Sequence, residues 1–496
     1  MKKLYQIHPA DNVAVDLETG FKEALRDIPA GEAVIKYGNP IGHAAQDIHA
    51  GERVHTENMA TSLREHEEYE FHGIFRSAGK RTDEPADGSA DVSETAPERT
   101  ASRTFQGYLR SDGRAGTRNE LFIIPTVGCV NSAAERLAAL CSFSDPETGQ
   151  TKHPIALTHP YGCSQLGDDL RVTQQILSGL ALNPNAGGVL VLALGCENNT
   201  LESFRPQLRD ADPERIRFLV CQDAEDEIAE GKRLISELLL KMSGDRRVPC
   251  PLSALTIGLK CGGSDGFSGI TANPLLGRFT DAFTACGGTA ILTEVPEMFG
   301  AERLLMDRAA SREVFDDTVD LINRYKDYFV RHGQTVYENP SPGNIAGGIT
   351  TLEDKSLGCT QKSGSGPVMG VLGYGDRIGR EGFRDSSGLY LLEGPGNDMV
   401  AVTNLAAAGC GLILFTTGRG TPLGSPVPVV KVSSNAALAL KKRNWIDFDA
   451  SGALDDTGGC DSSFFSSVLA FAEGRETANE RNASHDIAIF KDGVTL

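Results

Sequence analysis

LFIIPTVGCVNSAAERLAALCSF, residues 121–143, decides the fold. Leu121–Val127 is a short apolar run, the right length for a buried strand and too short for a core helix. A Gly-Cys turn follows, and then a segment of helical character. A strand apolar on both faces, followed directly by a helix, is the repeating unit of a parallel sheet covered by helices. The unit recurs three times: IALTHPY (155–161) precedes DDLRVTQQILSGLAL (168–182), GVLVLAL (188–194) precedes NTLESFRPQL (199–208), and RIRFLVC (215–221) precedes EDEIAEGKRLISELLLKM (225–242).

Toward the C-terminus the pattern continues. LTIGLKC (255–261), GTAILTE (288–294), PVMGVLGY (367–374), GLYLLEG (388–394), GLILFTTG (411–418) and VPVVKVS (427–433) read as strands. Helices are expected over 296–310, 312–332 and 399–410. Toward the N-terminus, SAGKRTDEPADGSADVSETAPERTAS (77–102) has almost no large apolar side chain and reads as a linker. Before it lie VAVDL, EAVIKYG and RVHTEN, short strands punctuated by the related turns DIPAG (27–31) and DIHAG (47–51). The expected organisation is a small β-rich unit of two related halves over 1–76, a linker over 77–104, an α/β unit over 105–250, and a second α/β unit over 251–496.

The bulk properties exclude several classes. A net charge of -19 argues against a nucleic-acid partner. No stretch approaches the roughly 18 apolar residues of a membrane helix, and the N-terminus has a basic start without an apolar signal core. Eleven cysteines, an odd number with no Cys-x-x-Cys pair, read as reduced thiols in a cytoplasmic protein.

Five cysteines adjoin a glycine where a strand should emerge into a turn: Cys129, Cys163, Cys196, Cys261 and Cys359. Ligands bind outside the carboxyl ends of strands in open α/β sheets. HPYGCSQLGDD crowds His159, Cys163, Gln165, Asp168 and Asp169 into one turn; imidazole and thiolate suit iron, zinc or cobalt, while the two aspartates also suit a helix N-terminus. Cys129, Cys163 and Cys196 converge if their strands are neighbours; otherwise they fill space.

KCGGSDGFSGITANP (260–274) either cradles an anion on Ser264, Asp265 and backbone amides or is a plain connector. It lacks the Gly-Lys-Ser/Thr of a phosphate loop. The stretch 339–366 reads as a long irregular loop with Lys355, Cys359, Gln361 and Lys362 as reactive candidates or solvated residues. Arg419, between two glycines, can bind a carboxylate as a planar fork. Asp398 reads as a helix N-cap. Lys36 and His55 lie on the β-rich unit, where a lone histidine is more often a surface residue.

Taken together, VIKYGNPIG, RVHTEN, GTRNELFIIPTVGCVN, HPYGCSQLGDD, LGCENN, CGGSDGFSGITANPLLGRF, TEVPEMFGAE, ENPSPGN, GITTLEDKSLGCTQK and TTGRGTP resemble the altronate/galactarate dehydratase family, over nearly the whole chain except the linker. The resemblance implies an N-terminal β-clip (SAF) domain followed by two α/β domains with mainly parallel sheets. It implies conversion of D-altronate to 2-dehydro-3-deoxy-D-gluconate and water, with Fe2+ or Mn2+, in hexuronate catabolism. The CTQK and SQLGDD forms favour altronate over galactarate. One departure is Phe21, where the family usually reads Gly-His-Lys.

On that basis the C2 proton is expected to leave with help from a divalent ion, and an acid to protonate the departing C3 hydroxyl. The expected metal ligands are Cys129, Cys163, Cys196 and Cys261, with His159 beside them. Proton transfer is assigned to His55, Lys362 and His159, and substrate contacts to Lys36, Ser264, Asp265 and Arg419. The alternatives are a galactarate-type dehydratase or related lyase, an iron-sulfur cluster on the three thiols in place of a single ion, and, in a different class, a non-catalytic sugar-acid-binding protein. A homo-oligomer is compatible with the sequence.

Overall fold

A computed structural model describes residues 3–64, 68–73, 103–145, 147–379 and 387–495. The linker expected over 77–104 lies outside the described residues except for its last two positions, and Thr104 already opens a strand, Thr104–Leu109.

The N-terminal unit has two small sheets. Val13–Asp16 and Lys22–Ala24 belong to a four-stranded sheet, and Ala33–Lys36 and Asn39–Ala44 to a three-stranded one. The two related turns face each other across a local twofold. Ile28 and Ile48 exchange backbone hydrogen bonds at 2.8 and 2.9 Å. The Ala30 amide donates to Asp47 and the Ala50 amide to Asp27, both at 2.8 Å. Each half thus caps the other's turn, which is why the repeat was visible in the sequence.

The middle unit is a four-stranded parallel sheet. Its strands are β1 (Glu120–Pro125), β2 (Ile155–Ala156), β3 (Ala186–Ala193) and β4 (Ile216–Val220), in the order β2-β1-β3-β4. All eight residues of β3 are buried, as expected of a strand covered on both faces. Val248–Pro251 pairs antiparallel with Thr104–Leu109, so the boundary expected at residue 250 falls within a paired strand.

The C-terminal unit is a seven-stranded, all-parallel sheet: β5 (Thr256–Cys261), β6 (Thr289–Leu292), β7 (Val368–Leu372), β8 (Gly388–Leu392), β9 (Leu412–Thr417), β10 (Val429–Ser433) and β11 (Phe448–Asp449), in the order β7-β8-β6-β5-β9-β10-β11. The stretch expected to be an irregular loop contains two helices, Pro342–Ala346 and Leu352–Cys359. Every residue of the latter is buried, so polar Glu353, Asp354, Lys355 and Ser356 hid its helical identity. No helix among the described residues is long and apolar enough to cross a membrane.

Burial of paired charge joins the N-terminal unit to this helix. Lys22 donates to Asp354 at 2.7 Å and to the Gly348 carbonyl at 2.7 Å, while Lys36 donates to the other Asp354 oxygen at 2.9 Å. Asp354 is fully buried, yet Lys22 and Lys36 outweigh the burial and hold its carboxyl well below the usual range. The middle and C-terminal units share one apolar core and are stitched by Asn183, whose amide donates to the Ala406 and Cys410 carbonyls.

Removing one partner of a buried ion pair strands the other. Asp354→Asn should therefore cost about 3–5 kcal/mol, read as a lowered unfolding midpoint at neutral pH. Because the folded pKa of Asp354 is depressed, its contribution is complete above the ordinary aspartate value of about 3.9 and fades as pH falls below it. The gap between wild type and variant should narrow in acid; a gap that widens there contradicts the assignment.

Candidate active site

The carboxyl edge of the seven-stranded sheet gathers charged groups that apolar strands would not otherwise bury. β5 ends in Lys260-Cys261. The chain leaving β6 carries Glu294 and Glu297. The helix Leu352–Cys359 and the turn after it bring Lys355, Cys359 and Lys362.

Lys260 is fully buried and donates to Glu294, to Asp398 at 2.7 Å and to the Cys261 carbonyl at 2.8 Å. The other Glu294 oxygen accepts from the Cys261 amide at 2.9 Å and faces the Lys362 ammonium at 3.6 Å. Lys355 pairs with Glu297 at 2.7 Å and donates to Asn339 at 3.0 Å. The Cys261 thiol donates to Glu297 at 2.9 Å and lies 3.3 Å from the Cys359 sulfur. Glu294 has φ of 74°, a left-handed conformation costing of order 1–3 kcal/mol in a non-glycine residue. Two hydrogen bonds, from Lys260 and the Cys261 amide, and the Lys362 ion pair hold it there.

The two glutamates are driven apart. Burial and the neighbouring Glu297 push Glu294 up. For Glu297 burial acts the same way, but Lys355, Lys362 and Lys260 outweigh it and hold the carboxyl low. Lys362 is fully buried, and Cys261, Cys359, Glu294 and Glu297 overcome that burial to keep it protonated. Paired titratable groups with opposed shifts are a mark of acid–base sites.

Above this centre lies the glycine-rich loop. Ser264 Oγ is buried without a hydrogen-bond partner among the described residues, an expensive state unless a ligand completes it. The Arg419 amide donates to the Gly263 carbonyl at 3.0 Å. Its guanidinium is exposed and has no ion-pair or hydrogen-bond partner among the described residues. Gly269 and Gly358 both abut the hydroxyl of Tyr37, where an added Cβ would meet it at 2.0 and 3.1 Å. The N-terminal unit therefore forms one wall.

Of the residues expected from sequence, Lys362, Cys261, Ser264 and Arg419 come together here. The structure places the others as follows. Asp265 is consumed by its own surroundings: it accepts from Ser268, Ser434 and Asn435 at 2.8–2.9 Å, so it pins the loop. Lys36 spends its ammonium on Asp354. His55 Nε2 donates to the Ile345 carbonyl at 3.0 Å while Nδ1 meets Thr56 and Glu57, which makes it a docking residue. Both nitrogens of His159 are also engaged: Nε2 donates to the Pro125 carbonyl at 2.8 Å and Nδ1 accepts from the Tyr161 amide. Burial keeps this ring neutral. Asp398 is not the N-cap, a place Asn397 takes; it pairs with Lys260.

The expected four-thiol set is split. Cys261 belongs to this centre, whereas Cys129, Cys163 and Cys196 are exposed on the middle unit. Among the described residues, Cys261, Glu297 and Cys359 are the one group of three whose ligand atoms lie within 4.8 Å of one another. Two thiols and a carboxylate fit a divalent transition ion, and iron better than manganese, which prefers oxygen donors. Sequence reasoning missed Lys260, Glu294 and Glu297. The available signal was a lysine inside a strand that must be buried on both faces, and two glutamates flanking Pro296 just past a strand end.

The family described as D-galactarate/altronate dehydratase, C-terminal, matches residues 252–495. D-galactarate dehydratase/altronate hydrolase, second domain, matches residues 107–243, and altronate/galactarate dehydratase SAF domain matches residues 15–62. The chain is 47% identical to altronate dehydratase of Escherichia coli K12, covering 99% of each chain, and 47% identical to altronate dehydratase of Bacillus subtilis 168, covering 100% of each. It is 30% identical to galactarate dehydratase (L-threo-forming) of Escherichia coli K12, over 90% of this chain and 87% of that one.

In metal-free native protein, iodoacetamide should modify exposed Cys129, Cys163, Cys196 and Cys286 and spare buried Cys261, Cys359 and Cys410. Peptide mass spectrometry that finds Cys261 labelled as fast as Cys163 contradicts the buried centre.

Proposed function

The chain belongs to the altronate/galactarate dehydratase family, and from that premise we propose that it is a hydro-lyase converting D-altronate to 2-dehydro-3-deoxy-D-gluconate and water, in cytoplasmic hexuronate breakdown. The observation that carries the assignment of the site is a buried Lys362 ammonium set 3.6 Å from Glu294, below a loop whose Ser264 hydroxyl and Arg419 guanidinium have no partner among the described residues.

In this reading Arg419 forks the substrate carboxylate and Ser264 Oγ donates to it. The carbon-bound proton at C2 is very weakly acidic, and Glu294, the carboxylate with the raised pKa, is the stronger base of the pair. It takes the proton. The electron pair of the C2–H bond forms the C2–C3 double bond as the C3–O bond breaks. Lys362 gives its proton to the departing hydroxyl, which leaves as water. The enol then tautomerises to the 2-keto acid. Glu294 now holds a proton and Lys362 lacks one, and their contact returns it, so the site resets without an outside acid.

Cys261, Glu297 and Cys359 would hold the divalent ion, which supplies charge stabilisation to the substrate's oxygens when bound. The binding-protein alternative has no use for a buried, charge-balanced acid–base pair beneath the anion site.

Lys362→Met should lower kcat by about 10²–10⁴-fold, while Arg419→Ala mainly raises KM. Near-normal turnover of D-altronate by Lys362→Met sinks the assignment, and preference for galactarate over D-altronate in the wild type sinks the substrate. Since Glu294 must be ionised and its pKa is raised, kcat/KM should fall with decreasing pH along a limb above the ordinary glutamate value of about 4.3. A limb at or below that value removes Glu294 as the base.

A further inference from the structure

A second cluster of reactive groups lies apart from that site. Cys129, Cys163 and Cys196 sit just beyond the carboxyl ends of β1, β2 and β3, and those three strands are direct neighbours in the order β2-β1-β3. All three thiols are exposed, although free cysteine is among the most buried residue types. Of the four exposed cysteines in the chain, three share this one edge.

Their loops are locked to one another. The Gly128 amide donates to the Tyr161 carbonyl at 2.8 Å and the Asn199 amide to the Gly162 carbonyl at 3.0 Å. The Ser164 amide donates to the Asn198 side chain at 2.7 Å, and the Asn199 side chain donates to the Thr126 carbonyl at 2.9 Å. Thr126 in turn donates to Glu197 at 2.7 Å. The residue before each cysteine is a glycine that nothing larger can replace. A Cβ on Gly162 would meet the Thr126 carbonyl at 2.1 Å and one on Gly128 the His159 carbonyl at 2.8 Å, while Gly195 holds a φ of 125° that residues with a side chain rarely adopt. His159, neutral and doubly bonded to backbone, braces the same three-loop assembly. Such construction has no purpose in the dehydration step derived above, which uses none of these groups.

Three thiols on a rigid edge point to a thiophilic metal centre, and a single ion and a cluster make different demands on them. A single tetrahedral ion with metal–sulfur bonds of about 2.3 Å draws its thiolates to within about 4 Å of each other. These three do not form a set within 4.8 Å, whereas Cys261, Glu297 and Cys359 do. A cluster of several irons holds each thiolate on a different metal, hence farther apart. We propose that Cys129, Cys163 and Cys196 ligate an iron-sulfur cluster of the four-iron type, three irons held by protein thiolates and the fourth facing solvent. The site is independent of the ion placed at Cys261, Glu297 and Cys359, so either can fail without the other.

The test uses the full-length chain, reconstituted anaerobically with ferrous iron and sulfide and then desalted. Iron and acid-labile sulfide are counted per chain and the visible spectrum is recorded. The expected result is about four sulfides per chain and at least as many irons, with a broad brown absorption that bleaches in air. Labile sulfide should fall at least tenfold in Cys129→Ser, Cys163→Ser and Cys196→Ser, and stay at the wild-type level in Cys286→Ser, the exposed control, and in Cys261→Ser. Circular dichroism separates cluster loss from unfolding, and Gly162→Ala, which disturbs the loops without removing a thiol, should also lose sulfide. Iron bound without labile sulfide, or sulfide retained in the triple serine variant, overturns the proposal.

Discussion

Three buried ammonium groups at one strand edge are tolerable only because carboxylates meet them, and the site's geometry follows from that requirement. An unpaired buried charge costs several kcal/mol, so Lys260, Lys355 and Lys362 must lie against Glu294, Glu297 and Asp398. Glu294 makes these contacts from a left-handed backbone, and the same pairing separates the protonation tendencies of the two glutamates. One set of interactions thus stabilises the edge and sets the two glutamates apart.

The helix Leu352–Cys359 transmits this constraint to the rest of the chain. Asp354 faces the N-terminal unit through Lys22 and Lys36, and its neighbour Lys355 faces Glu297. Docking of the small β-rich unit and charge balance in the centre therefore share one buried helix. Tyr37 reaches Gly269 and Gly358 from the docked unit, and Gly20 packs on Gly266 of the glycine-rich loop, where an added Cβ would meet the Gly20 carbonyl at 1.8 Å. Phe21 meets His55 edge-on with ring centroids 5.6 Å apart and belongs to this docking surface.

Strand–helix alternation was legible because β1, β3, β5 and β9 are mostly apolar and buried on both faces, and the turn repeat was legible because each half caps the other. Lys362 and Arg419 stood out as reactive types in glycine-rich surroundings. Lys260, Glu294 and Glu297 did not, since charge inside an apolar segment becomes meaningful only when its partner, 34 or 138 residues away, is known. For His55, His159 and Asp265 the hidden part was the opposite: a reactive side chain in a motif does not reveal which backbone groups and neighbouring hydroxyls its polar atoms meet. Cys261 shares its glycine context with Cys129, Cys163 and Cys196 but stands in a different sheet, a distinction that local sequence cannot carry.

The most direct measurement of the central claim is a crystal structure of the Lys362→Met variant soaked with D-altronate. The account predicts the substrate carboxylate within hydrogen-bonding distance of Ser264 Oγ and the Arg419 guanidinium, with C2 beside Glu294. Sugar acid bound instead at the Cys129, Cys163 and Cys196 edge, with the C-terminal loop empty, would contradict it.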